Sequence, residues 1–146
     1  MSEFIEIAGV VARNEQGEYL LVQEKIPEAY GKWNLPAGHI DEIEGKPELP
    51  TQAALREGNE ETGYEFELLD DEPLLVDDQT RPGYRFHTFW ARVVGGELRV
   101  DHNEILDAGW FDLRAVMELD QSGEMRADWQ AAAIRKAEEI YENPGN

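Results

Sequence analysis

The sequence predicts an α/β fold, an α/β/α sandwich around a mixed β-sheet, and three observations carry that expectation. Runs rich in β-branched, aromatic or alternating apolar residues recur along the chain as strands. One helix-forming segment interrupts them in the middle. A second, amphipathic one closes the chain. Strand pairs with helices in the middle and at the end are accommodated by helix layers on a central sheet.

Each element has its own signal. Residues 4–13 are β-branched and small apolar, a first strand. Asn14-Glu15-Gln16-Gly17 is a turn, and residues 19–24 are a second strand, so the two are expected to pair as a hairpin. Residues 25–32 form a polar loop in which Lys25 reads as a solvated lysine, with a contact to a phosphate as the alternative. Residues 33–35 are extended, because the residue before Pro36 avoids the helical region. Thr51 is a fair cap for a helix reaching about Thr62, with Ala53, Ala54 and Leu55 on its apolar side and Gly63 as its stop.

Beyond that helix, residues 64–69 alternate Tyr64, Phe66 and Leu68 with polar residues, as a half-buried strand does. Residues 73–76 are a short candidate strand. Residues 84–94 are apolar on both faces and expected at the centre of the sheet, with His87 as a core histidine. Gly95-Gly96 reads as a hairpin turn into a strand at residues 97–100. Residues 113–118 form a short helix, and residues 125–142 a long one with Trp129, Ala133 and Ala137 on its packing stripe. Residues 143–146 are a frayed tail.

Composition narrows the function. The 146 residues suit one domain spanning 1–146. Cysteine is absent, which excludes disulfides, thiolate metal sites and thiol nucleophiles. Met1-Ser2-Glu3 lacks a basic stretch before an apolar one, and the longest apolar run, residues 7–12, covers six residues, so a cytoplasmic location is the expectation. The 32 acidic and 13 basic residues give a net charge of −19. Such a surface repels nucleic acid polymers and anionic membranes. It also repels free pyrophosphate, so a site for phosphates needs metal ions and local arginines.

The chemistry concentrates in residues 35–64. Arg56-Glu57-Gly58-Asn59-Glu60-Glu61-Thr62-Gly63 packs three carboxylates into five positions, and on a helix Glu57, Glu60 and Glu61 share one side. Like charges at this spacing repel. Three hard oxygen donors are also what a divalent cation requires, and the ion would relieve the repulsion.

This segment resembles the signature of the Nudix hydrolases, which cleave diphosphate bonds in nucleotide-like compounds. Gly38 matches its first glycine, with Trp33-Asn34-Leu35-Pro36-Ala37 as lead-in. Glu48, seven residues before Arg56, matches its first glutamate, and Arg56-Glu57, Glu60-Glu61, Gly63 and Tyr64 match the remainder. Two departures stand out. Nine residues, rather than five, separate Gly38 from Glu48, and Gly58 occupies an aliphatic position. A longer loop over residues 41–47 absorbs the first; Glu44 at the standard distance would break the spacing to Arg56.

The resemblance implies a Nudix-type sandwich and a hydrolase that uses Mg²⁺ or Mn²⁺. It implies that the Gly38 carbonyl, Glu57, Glu60 and Glu61 hold the metal, and that Glu48 and Arg56 clamp the motif. Glu104, six residues before Trp110, matches an acidic residue that completes the site or acts as base, with Asp101 in reserve. Glu57 is the other candidate base. The substrate would be a small diphosphate: a nucleoside di- or triphosphate, ADP-ribose or similar. Tyr30, Trp33, Tyr84 and Phe86 are candidates for stacking on a base, and Arg81 and Arg85 for meeting a phosphate. The alternative is a Nudix-fold sensor that binds nucleotide without cleaving it. The reading leaves room for a homodimer.

Overall fold

The computed structural model describes residues 4–143. The N-terminal tripeptide considered above for targeting signals and the last three residues of the expected tail lie outside the described residues.

The larger sheet is built on β1 (Ile5–Ala12), whose small and β-branched side chains can be buried on both faces. Ala8 and Val10 point to one side and Val11 to the other. Along one edge of β1 runs β9 (Tyr84–Gly96), parallel, in register from Ile5↔Tyr84 to Ala12↔Ala91. Along the other edge lies β4 (Ala37–His39), antiparallel, with Gly38 opposite Ala8. The far edge of β9 takes β7 (Tyr64–Leu68) and β8 (Leu75–Asp77), both antiparallel. One parallel and three antiparallel pairings make the sheet mixed, and β9 holds the central place expected from its two apolar faces.

A smaller antiparallel sheet places β2 (Glu18–Glu24) between β10 (Ile105–Asp112) and β3 (Trp33–Asn34). Helix α1 (Pro50–Thr62) covers one face of the larger sheet, with Ala53 and Ala54 against Ala8, Val10, Phe89 and Ala91. On the opposite face, Val11 and Trp90 share a core with Tyr19 and Leu21 of the small sheet. Val116 of α2 (Leu113–Gln121) and Ile134 of α3 (Trp129–Glu142) complete that core. No helix among the described residues is long and apolar enough to cross a membrane.

Several expectations are corrected. β1 and β2 do not form a hairpin. The Asn14 side chain closes the turn by accepting from the Gln16 and Glu18 amides, and Arg13 bridges to Tyr19. Both edges of β1 are already paired, so the chain crosses into the second sheet. Gly95 and Gly96 do not turn either. They extend β9 opposite Glu65 and Tyr64, and residues 97–100 form no strand because the Arg99 amide donates to the Thr62 carbonyl.

Thr51 is not the cap of α1. Pro50 begins the helix, its φ already helical and its missing N–H no loss, and the Gln52 side chain accepts from the Leu49 amide. The last helix starts at Trp129 because residues 124–126 run extended beside Trp33: the Trp33 amide donates to Glu124 and the Arg126 amide to Trp33.

Leu55 is only half-buried; the buried side of α1 is Ala53, Ala54, Gly58 and Thr62. The missing aliphatic at 58 has a structural counterpart. A Cβ on Gly58 would lie 2.8 Å from Phe66 Cε2, so the Phe66 ring on β7 occupies that space. Gly58→Leu is therefore expected to overpack this contact and destabilise the protein by about 1–3 kcal/mol despite its better helix propensity. Chemical denaturation should show part of that loss recovered in the Gly58→Leu/Phe66→Ala double variant. Purely additive losses would mean the ring is not the obstacle.

Candidate active site

The site begins with the loop insertion, which folds as a small hairpin of β5 (Glu42–Ile43) and β6 (Lys46–Pro47). Glu44 and Gly45 turn it with φ of 52° and 80°, two successive left-handed residues as the tight hairpin turn requires. The extra residues therefore close on themselves and return the chain to Glu48. There the Glu48 amide donates to the Asp41 carbonyl and the Asp41 amide to Glu48 Oε1. Glu44 is left at the hairpin tip, and Glu48 meets Arg56.

The Glu48–Arg56 contact is a two-pronged ion pair. Arg56 Nε donates to Oε2 at 2.9 Å and Nη2 to Oε1 at 2.7 Å. The Glu48 side chain is 2 % exposed. The guanidinium holds the Glu48 carboxyl below the usual glutamate range, against the effect of burial. Glu48 in turn is the main reason that the Arg56 pKa is raised. Arg56 also donates through Nη2 to the His39 carbonyl, and through Nη1 to Glu57 at 2.9 Å and Glu60 at 3.1 Å. One arginine thus ties α1 to the end of β4 and orients two of the three signature carboxylates.

The three carboxylates do not share one environment. Glu57 lies against Gly38: a Cβ there would fall 2.1 Å from the Glu57 carboxyl carbon, so only glycine admits this approach. Glu61 Oε1 accepts from the Ala37 amide at 2.8 Å. Glu60 is 54 % exposed. Burial pushes the Glu57 carboxyl up, with Arg56 opposing it. Burial pushes Glu61 well up, against the Ala37 N–H, and the charges of Glu24, Glu57 and Glu104 add to the rise. Glu104 is thereby placed in the same field as the signature helix.

Among the described residues, no three acidic or histidine side chains already converge as a ligand set. Arg56 holds oxygens of Glu57 and Glu60, and the Ala37 amide holds one of Glu61. The donor chemistry nevertheless fits a hard divalent cation. It consists of carboxylate oxygens, two of them enclosed and mutually repelling, beside a backbone that admits no side chain.

Glu24 was missed by the sequence reading. It ends β2 opposite Ile105, next to Glu104, and is 8 % exposed. Asn34 Nδ2 donates to its Oε1 at 2.9 Å, Arg126 Nη1 lies 3.7 Å from Oε2, and Gln130 Nε2 donates to Asn34 Oδ1. The available signal was an acidic residue ending a strand whose centre is apolar; only the β2–β10 register shows what it faces.

The remaining candidates are dispersed. Trp33 packs its ring edge-on against Phe111, centroids 4.8 Å apart, as part of the core. Tyr30 is 64 % exposed. Arg81 sits over the Tyr84 ring, which stacks with Phe86, which meets Trp129. Tyr84 and Gly38 pair with opposite edges of β1, at Ile5 and Ala8, so two strand spacings and three residues, roughly 14 Å in all, separate them. Arg85 is 3.6 Å from Glu6 and stacks on Phe4, and His87 pairs with the same Glu6. The Lys25 ammonium donates to the His102 carbonyl at 2.6 Å, anchoring the loop that carries Glu104. Asp101 accepts from the Asn103 amide in that loop. A cavity of about 740 Å³ bounded by Arg13, Tyr64, Trp90, Trp110 and Tyr141 includes none of these carboxylates.

Known proteins share this fold. The sequence model of the NUDIX domain matches residues 4–133. The chain is 38% identical to the 8-oxo-dGDP phosphatase NUDT18 of Danio rerio over 116 residues, covering 77% of this chain and 34% of that protein. It spans about a third of the length of the curated relatives it matches. A NUDIX hydrolase structure from Nitrosomonas europaea superposes with a TM-score of 0.75 at 26% identity, covering 93% of this chain and 89% of that one. An Ap4A hydrolase from C. elegans superposes with a TM-score of 0.72 at 23% identity, over 94% and 98% of the two chains, a likeness of fold.

The Glu48–Arg56 pair should be visible in acid. Because the folded Glu48 pKa lies below its ordinary value of 4.5, its stabilisation is complete above that pH and is lost as pH falls through the folded value. Glu48→Gln should cost about 3 kcal/mol at neutral pH, since it leaves Arg56 without its enclosed partner. Its unfolding free energy should also fall less steeply below pH 4.5 than that of the wild type. Equal acid slopes in denaturant titrations would contradict this.

Proposed function

The chain belongs to the Nudix hydrolase family, and from that premise we propose that it is a divalent-metal-dependent hydrolase. It acts as one domain on a small nucleotide-like diphosphate, with water as nucleophile. The observation that carries the proposal is the enclosed carboxylate group. Glu57 sits under Gly38, Glu61 is fixed by the Ala37 amide, and Glu104 lies within their field.

A diphosphate resists water because its negative charge repels nucleophiles, so catalysis is mostly positioning and charge neutralisation. Glu57, Glu60, Glu61 and the Gly38 carbonyl would hold Mg²⁺ or Mn²⁺. When bound, such a cation neutralises phosphate oxygens and lowers the pKa of a coordinated water. Glu48 and Arg56 fix the helix against β4 and orient Glu57 and Glu60. Glu104 takes the proton from the attacking water. Its carboxylate makes no hydrogen bond or ion pair among the described residues, and Lys25 steadies its loop from the end of β2. Glu57, engaged by Arg56 and assigned to the metal, is the less free of the two candidate bases.

Nucleoside diphosphates are the first substrates to test, given the 8-oxo-dGDP phosphatase among the relatives. The row of Tyr84, Phe86 and Trp129, with Arg81 over its outer ring, lies on the α3 face of the larger sheet, opposite α1, and so stands away from the signature carboxylates. Trp33 and Arg85 are committed to Phe111 and Glu6.

Phosphate release from nucleoside di- and triphosphates, ADP-ribose and dinucleoside polyphosphates should require Mg²⁺ or Mn²⁺ and vanish with EDTA. Glu104→Gln should lower kcat by about 10²-fold or more, leaving the Mg²⁺ concentration for half-activity unchanged. Glu57→Gln should lower kcat and raise that concentration. Wild-type protein that binds nucleotide tightly yet releases nothing with either metal would overturn the hydrolase reading in favour of a sensor.

A further inference from the structure

The carboxylates gathered at the site make every cation near it consequential, and the nine arginines are almost all engaged. Arg13, Arg56, Arg85, Arg92, Arg114 and Arg126 pair with glutamates. Arg81 lies over Tyr84, and Arg135 donates to the Met117 sulfur. Arg99 alone of the nine has no side-chain hydrogen bond, ion pair or ring contact among the described residues. It lines a cavity of about 340 Å³ with Asn59, Glu60, Gly63, Val100 and Asp101. That cavity lies between the signature helix and the loop leading to Glu104.

Resting on the hydrolase reading above, we infer that Arg99 binds the free terminal phosphate of the substrate. It thereby favours nucleoside di- and triphosphates over diphosphates capped at both ends. Neither acid of the cavity forms an ion pair with Arg99: Glu60 pairs with Arg56, and Asp101 turns an oxygen to the Asn103 amide. The guanidinium is not needed to close α1 either. The Arg99 backbone amide already donates to the Thr62 carbonyl at 2.7 Å, and the Gly63 amide to Asn59. A planar fork of donors suits the oxygens of a phosphate. A terminal phosphate brings more charge and more free oxygens to that fork than a phosphate esterified to a second sugar. The cavity adjoins Glu60, so a phosphate chain lying over the signature carboxylates would extend its free end there.

Calorimetric binding of two uncleavable probes in the presence of Mg²⁺ tests this: α,β-methylene-ADP, with a free terminal phosphate, and α,β-methylene-ADP-ribose, which is capped. Arg99→Ala should weaken the first by about ten-fold or more and the second by less than about two-fold, with Arg99→Lys between wild type and alanine for the first. Lys136→Ala, the same loss of one charge on α3, should change neither. Equal weakening of both probes by Arg99→Ala, or no weakening of either, overturns the inference. Because both probes report binding alone, wild-type protein that binds them but releases phosphate from none of the nucleotides named above overturns the hydrolase reading, while the ratio of the two Kd changes still decides the role of Arg99.

Discussion

The site depends on a single cation, Arg56. Its guanidinium spans the buried Glu48, the carboxylates of Glu57 and Glu60, and the His39 carbonyl at the end of β4. Each partner comes from a different part of the motif: the segment after the inserted hairpin, the helix, and the strand that carries Gly38. Without that charge, an enclosed Glu48 would have to protonate or draw in water, and Glu57 would face Glu60 across one helical turn unscreened. The inserted hairpin is tolerated because β5 and β6 pair with one another and leave the clamp intact.

The carboxylates are held where an isolated helix would not keep them. Burial raises both Glu57 and Glu61, a cost to the ionised forms that the surrounding core must offset. The core is continuous just behind them. Ala53, Ala54 and Gly58 let α1 lie close on β1, and the Phe66 ring fills the space that small residues leave. Small side chains on the buried side of α1 and acids on its other side are two halves of one arrangement, because close packing brings Glu57 onto Gly38.

The sequence carried the layers and the signature because both are local patterns. Alternation in β9 and the stripe of α3 gave their positions, and the resemblance of Glu48 and Arg56 to the family signature implied the clamp. What it could not carry was pairing between distant segments. The turn at Asn14–Gly17 looks like a hairpin because turns report local backbone, while the partner of β1 is decided by β9, about seventy residues later. Gly95-Gly96 misleads for the same reason, its role fixed by Tyr64 and Glu65 across the sheet. Glu24 was invisible as a site residue, since its neighbours Glu104 and Asn34 meet it only through the β2–β10 and β2–β3 registers.

Overall charge and site charge have to be considered separately. Screening at physiological salt acts over about 8 Å, so most of the 32 acidic residues contribute little at the phosphate itself. What a diphosphate meets is the local set: enclosed carboxylates that need a cation, and the arginines within a few ångströms. Arg56 is occupied holding those carboxylates, and Arg126 faces Glu24. Those arginines make the site habitable for acids, not attractive to phosphates. Attraction must then come from a bound metal and from cations that the fold leaves without partners. An acidic chain that pairs most of its arginines internally can recognise an anion only where it stops pairing them.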